Sequence, residues 1–524
     1  MVEIKLPLTL GLPKYGHNLP VGNLKTTTLP TLTPVERKRK MNMLRSSFFI
    51  LTFFLLQSVN INAQSISTDS LVNSFIREQQ TKYNIPGIAV AVISKGQIIK
   101  ATGYGYINLD NKIPATPTSI FAIASMDKQI TATAIMMLYE QGKLKLENTL
   151  DMYFDSIPDF WKTIAVKNLL SHTSGLPDEV SEKYNGRLLI SYSTGMLLQY
   201  IKKQTPEFKP GEGWVYSDAN FFLLQLIVEK VSGMTYGEFL NTKMLGPLGM
   251  MHTATISPFK VVHERATPYW KSEDESVIVN TYRYVDFGPL YNDIGTSVTD
   301  FAKWDNAITY HKLLKQSTYD LMWTPFILND GRQVSNLADN YTTSAADASY
   351  GYGWVLHQFR GHRRIYHSGY TGTSVFRLPD DSLTVIYFSN LTDEVTDYDA
   401  DITAMKIADY YLANRSFHLL QPKKDPDIKQ TTYLQNIISN LTKEKVDSTA
   451  FTSDYFALLK QTLKTQEQRT KVLGEFKSLE YIDADKGING NKSFYYKVNF
   501  SKRTRYYIVI TDKKNKIVYL CVER

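Results

Sequence analysis

From residue 71 the apolar positions Leu71, Phe75 and Ile76 recur on one side of a helix, and two apolar runs follow, Gly87 to Ile93 and Ile98 to Tyr106, flanking the turn residues Lys95-Gly96. An amphipathic helix leading into a β-hairpin is predicted. The period then changes. Ile130, Ala134, Met137 and Leu138 recur at helical spacing over Gln129 to Gly142, and an apolar helix is predicted over Phe221 to Val231. Strand-like runs return only at Tyr352 to Leu356, Arg364 to His367, Ser374 to Leu378 and Leu383 to Ser389, and the stretch between is read as mainly helical with long loops. The first and last strands therefore have to pair across the sequence.

After Pro422 a charged linker, Lys423-Lys-Asp-Pro-Asp, leads into helical patterns and four further runs, Phe476 to Ile482, Ser493 to Phe500, Arg505 to Thr511 and Ile517 to Val522. Polar turns at Lys486-Gly487, Lys502-Arg503 and Asp512 to Asn515 separate them, as in an antiparallel meander. Helices followed by a meander predict a small α+β domain over 422–524, behind a larger unit at 64–421.

Composition changes the picture mainly at the N-terminus. Met43-Leu-Arg45, the apolar run Phe48 to Leu56 and Ile61-Asn-Ala63 have the three-part form of a secretory signal peptide, so residues 1–63 are expected to be a leader cleaved before Gln64. The apolar run is too short to span a bilayer, and no stable membrane anchor is expected. Of the net charge of +8, six units belong to residues 1–63, which carry 8 Lys and Arg against 2 Asp and Glu. The remaining chain is close to neutral and gives no basic face for nucleic acid. A single Cys521 excludes an intramolecular disulfide, and the leader points to a secreted or periplasmic location.

Candidate chemistry begins at Ser125-Met-Asp-Lys128. Residues i and i+3 share a helix face, so Lys128 can sit beside the Ser125 hydroxyl at a helix start. By chance a chain of this length holds roughly two or three Ser-x-x-Lys pairs, and Ser257-Pro-Phe-Lys260 is another. Only the first opens an apolar helical run. Later come Tyr216-Ser-Asp218, after a Pro210-Gly211 turn and before a helix, and His367-Ser-Gly369 in a strand-like region.

The motif order Ser-x-x-Lys, Tyr-x-Asn-like, Lys-Thr-Gly-like resembles that of the active-site serine penicillin-recognising enzymes. From Asn84 to Asn390 the chain resembles the family of class C β-lactamases, D-alanyl-D-alanine carboxypeptidases and related esterases. Ile85-Pro-Gly87, Gly103-Tyr-Gly105, Leu170-Ser-His-Thr-Ser-Gly-Leu176, Gly246-Pro-Leu-Gly249 and Tyr350-Gly-Tyr-Gly-Trp354 carry the likeness. The resemblance implies an α+β fold: an antiparallel sheet flanked by helices, with an all-α lobe and the active site between them. The C-terminal layout looks like a cystatin-like appendage. Ser125 would be the nucleophile, and Lys128 and Tyr216 together would accept and return its proton. The backbone N–H groups of Ser125 and Tyr370, beside Gly369, would hold the oxyanion.

Burial is expected to lower the pKa of Lys128 enough for it to act as a base. Two departures bear on substrate binding. Asp218 stands where β-lactamases usually have Asn, and an ionised Asp accepts hydrogen bonds without donating any, so it favours a charged lysine. His367 stands where many relatives have Lys, and a neutral imidazole anchors a carboxylate poorly. His357, His362 and His367 recur at intervals of five, but no His-Glu-x-x-His or His-x-His-x-Asp element accompanies them, and no metal or other cofactor is expected. The reading is an exported serine hydrolase of small esters, amides or D-amino-acid peptides. The alternative is a weakly catalytic protein that binds peptidoglycan fragments on the same fold. The sequence leaves the oligomeric state open.

Overall fold

The computed structural model describes residues 68–177, 193–256, 261–272, 276–279, 294–334, 348–359, 362–392, 398–412 and 422–441, with most of 446–523. Residues 68–83 form helix α1. Val72 and Ile76 fill its buried stripe with Phe75 packed alongside, whereas Leu71 is 48% exposed. The stripe follows the i, i+4 row through 72 and 76, and Leu71 lies off it.

The hairpin is present as β1 (Gly87–Ser94) and β2 (Gln97–Asn108), extended by the short β3 (Ile113–Pro114). β4 (Phe121–Ala122) leads through a 3₁₀ turn (Ala124–Asp127) into α2 (Lys128–Glu140). α3 (Asp218–Ser232) packs against α2. The intervening stretch, expected to be mainly helical, also contains β5 (Ala254–Thr255), β6 (Tyr269–Lys271), β7 (Val277–Val279) and β8 (Ile294–Thr296). These pair as β4-β8-β5 and β6-β7. Two- and three-residue strands are too short to register as an alternation. Helix α4 (Val298–Thr309) follows.

The chain then returns to the sheet as β9 (Ser349–Tyr350), β10 (Val355–Phe359), β11 (His362–Gly369), β12 (Thr373–Leu378) and β13 (Leu383–Ser389). The strand expected over Tyr352 to Leu356 begins only at Val355, because Gly353 turns the chain at φ +77°. A Cβ there would lie 2.8 Å from the Lys128 carbonyl, so this turn needs glycine to rest on the first turn of α2. Eight strands form one antiparallel sheet in the order β3-β2-β1-β13-β12-β11-β10-β9. β1 pairs with β13 across almost the whole catalytic unit, Ala89 opposite Phe388 and Val90 opposite Tyr387.

Period-2 geometry divides β1 between two cores. Ala89, Ala91 and Ile93 join the large cluster under α2, α3 and α4, while Ile88, Val90 and Val92 join the cluster under α1 and α5 (Ala400–Tyr411). Both faces of the sheet are therefore covered, and β1 reads as a nearly continuous apolar run.

Beyond residue 422, α6 (Ile428–Leu441) lies against a four-stranded antiparallel meander of β14 (Phe476–Lys486), β15 (Lys492–Phe500), β16 (Thr504–Thr511) and β17 (Ile517–Glu523). Leu434, Ile438, Phe451, Tyr496, Val498 and Val509 are among the residues of a hydrophobic cluster drawn wholly from this region. The expected leader, Gln421 at the expected boundary and the Ser257–Lys260 pair lie outside the described residues.

All eight strands of the large sheet and the helices covering it precede residue 413. A chain ending at Gln421 is therefore expected to fold and to keep wild-type turnover, measured as circular dichroism and ester hydrolysis on purified protein. Insoluble or inactive protein would mean that residues 422–524 bury part of the larger core.

Candidate active site

The Ser125 turn sits at the C-terminal end of β11. Thr371 Oγ1 donates to the Ala122 carbonyl at 2.8 Å and Thr373 Oγ1 to the Ile123 carbonyl at 3.2 Å. These bonds hold the segment before Ser125 against the β11–β12 turn. Gly369 permits the approach, because a Cβ there would stand 2.2 Å from the Ile123 carbonyl oxygen. Ala124, immediately before Ser125, has φ +45°, a conformation that typically costs a non-glycine residue on the order of 1 kcal/mol or more. The surrounding bonds over-determine it.

In a 3₁₀ turn side chains at i and i+3 eclipse, which places Lys128 directly beside Ser125. Lys128 Nζ donates to Ser125 Oγ at 3.2 Å and forms an ion pair with Asp218 Oδ1 at 2.8 Å. The ammonium lies 5.0 Å from the centre of the Tyr216 ring and 5.6 Å from that of Phe221. Only 4% of Lys128 is exposed. Burial lowers its pKa, but the carboxylates of Asp218 and Asp127 raise it by more, and the net shift is upward. The expected lowering of Lys128 is thus overturned by its partner. An Asn at position 218 would remove the Asp218 contribution and leave Asp127 to oppose the desolvation.

The turn bearing Tyr216 and Asp218 is fixed by His172, a residue the motif Leu170 to Leu176 contained without a role being assigned to it. The His172 ring stacks on Tyr216, with centroids 4.3 Å apart at 29°. Its Nδ1 accepts the Ser217 N–H at 3.2 Å and lies 3.1 Å from Asn220 Nδ2, so it caps the first turn of α3 in place of the Ser217 side chain. Accepting at Nδ1 puts the proton of the neutral ring on Nε2. Burial, and then the Lys128 charge, push the His172 pKa down, and the ring stays neutral.

His367 is also buried and neutral, its pKa lowered to about 3 first by burial and then by Lys128. Its Nδ1 lies 2.8 Å from the Ser368 carbonyl and therefore carries the proton; Nε2 accepts the Tyr350 hydroxyl at 3.2 Å. Both nitrogens are thereby engaged within the protein. Tyr350 is a second residue that sequence reasoning missed. It is 1% exposed, packs edge-on to His172 and Tyr216, and holds His367; its place in Tyr350-Gly-Tyr-Gly-Trp354 was the available signal.

Ser125, Lys128, Tyr216 and Asp218 are brought together, with His367 reaching them through Tyr350 and with Gly369 beneath the Ser125 turn. Tyr370 follows Gly369 in the β11–β12 turn and is half-buried. The three regularly spaced histidines do unrelated work: His362 pairs with Asp381 at 2.7 Å, His367 with Tyr350, and His357 stands opposite Arg364 in the β10–β11 ladder. Among the described residues no three His, Cys, Asp or Glu side chains converge as a metal site.

The family model described as Beta-lactamase matches residues 72–410, which include every residue of this site. The chain is 27% identical over 372 residues to penicillin-binding protein 4* of Bacillus subtilis, an alignment covering 67% of this chain and 76% of that one. Among solved structures, the octameric penicillin-binding protein homologue from Pyrococcus abyssi superposes with a TM-score of 0.58 at 20% identity, over 86% of this chain and 99% of that one. The D-amino acid amidase from Ochrobactrum anthropi SV3, complexed with D-phenylalanine, gives 0.55 at 19% identity, over 66% and 97%.

Proposed function

Because the chain belongs to the beta-lactamase family of serine hydrolases, we propose that Ser125 is the nucleophile of an acyl-enzyme mechanism and that the substrates are small esters, amides or D-amino-acid peptides lacking a recognised carboxylate. The observation that carries this reading is the contact of the buried Lys128 Nζ with the half-buried Ser125 Oγ at 3.2 Å, held by Asp218 on the other side. A lysine on a solvated helix face makes no such pair.

Ser125 Oγ attacks the carbonyl carbon, and the backbone N–H groups of Ser125 and Tyr370 receive the oxyanion. Lys128 and Tyr216 carry the serine proton to the leaving group, and water then releases the acyl group. The likeness to a penicillin-binding protein and, in fold, to a D-amino acid amidase complexed with D-phenylalanine supports this reading. The polar contacts of His367 are internal and its ring is neutral, so the position many relatives fill with Lys offers no cation to a carboxylate. Export to the periplasm is part of the same proposal; the signal-like pattern of residues 1–63 supports it.

The test is covalent. A fluorophosphonate is expected to add one phosphonyl group to the protein, mapped by peptide mass spectrometry to Ser125 and missing from Ser125→Ala. Labelling at Ser257, or at no residue, would sink the assignment.

A further inference from the structure

Asp218 has been described as a partner of Lys128, but the geometry gives it a role in the proton's path. Lys128 Nζ stands between two oxygens, 3.2 Å from Ser125 Oγ and 2.8 Å from Asp218 Oδ1. Every ionisable or polar group facing it bears on its charge. Asp127 comes from the 3₁₀ turn and Asp218 from the first turn of α3; Tyr216 lies before that helix, Tyr350 is on β9, and His172 and His367 are both neutral. Two carboxylates and no competing cation surround the ammonium among these groups.

A lysine whose pKa stands above its ordinary value is neutral in fewer than roughly one molecule in 3,000 at pH 7. A mechanism that waits for neutral Lys128 would run on that fraction alone. A mechanism that moves two protons at once would not.

We propose that Asp218 is the terminal proton acceptor of acylation, with Lys128 passing the serine proton to it. As Ser125 Oγ bonds to the carbonyl carbon, its proton moves to Lys128 Nζ while an ammonium proton moves to Asp218 Oδ1. The carbonyl π pair goes to the oxygen, which gains the negative charge that the carboxylate loses; Lys128 is an ammonium before and after. On collapse the proton returns from Asp218 through Lys128 and Tyr216 to the leaving oxygen or nitrogen as its bond to carbon breaks. Water attack repeats the cycle. An Asn at this position cannot take the proton. The inference rests on Ser125 being the nucleophile.

The experiment is the pH dependence of kcat/KM for a short-chain nitrophenyl ester between pH 4.5 and 10, which reports the groups of the free enzyme. The wild type is expected to lose activity only in the carboxylate range and to stay level from pH 7 to 10. Asp218→Asn is expected to move the acid limb up by two pH units or more and to recover at alkaline pH, because the active form is then neutral lysine. Asp218→Glu should keep the wild-type limb. A wild-type rate that climbs tenfold per pH unit above 7 would overturn the proposal without any variant, as would an Asp218→Asn limb in the wild-type position. Phosphonate labelling of the same preparations separates the two levels. If Ser125 is labelled and the limbs disagree, the Asp218 route fails alone; if Ser125 is not labelled, the nucleophile and the route fail together.

Discussion

Lys128→Ala and Tyr216→Phe are each expected to lower kcat for a short-chain nitrophenyl ester by roughly 10² or more, the range for a positioned acid or base, and Ser125→Ala by on the order of 10⁴ or more. The Ser125→Ala/Lys128→Ala double variant should be no slower than Ser125→Ala alone. Lys128 contributes by acting on the Ser125 proton, so once the hydroxyl is gone nothing remains for it to do, and the effects cannot add. Lys128 is buried and Ser125 half-buried around a bond of 3.2 Å. Removing Lys128 also leaves Asp218 without its counter-ion, so thermal unfolding should be followed alongside the rates. A Lys128→Ala protein that is folded and turns over at the wild-type rate would favour the reading in which this fold binds peptidoglycan fragments and does little chemistry.

The elements that order this site were legible in unequal degree. Ser125 and Lys128 could be read because three residues of spacing translate directly into a shared helix face. The hairpin and β13 could be read because their apolar runs are long and bounded by turns. His172 and Tyr350 could not be assigned roles, since neither spacing nor composition shows that a ring 44 residues before Tyr216 stacks on it or that Tyr350 reaches His367. Those contacts are tertiary, the second reaching from β9 to β11 across β10. The pKa of Lys128 was misjudged for a related reason. Burial was inferred from flanking apolar residues, but the distance to Asp218 is a tertiary quantity, and at 2.8 Å the ion pair outweighs desolvation.

The same two departures from the β-lactamase pattern are expected to set the sign of substrate preference. His367 is neutral and Asp218 is ionised, so His367→Lys adds one positive charge to the site and Asp218→Asn removes one negative charge. Substrates bearing a carboxylate, such as penicillins or D-alanyl peptides, are therefore expected to gain on neutral esters. At an effective dielectric of about 20, a charge 4 Å away is worth about 4 kcal/mol before desolvation, and a quarter of that is about fivefold in selectivity. Asp218→Asn also disturbs the proton's path, and a β-lactam nitrogen depends on that proton more than a nitrophenolate does, so the His367→Lys single variant isolates the charge effect. The measurement is kcat/KM for a chromogenic β-lactam divided by that for a short-chain nitrophenyl ester, in wild type, each single variant and the double variant, read as a difference in transition-state stabilisation. The ratio should rise several-fold in His367→Lys. A wild type that already hydrolyses the β-lactam much faster than the ester, or a His367→Lys variant whose ratio moves toward the ester, would show that position 367 does not govern charge preference.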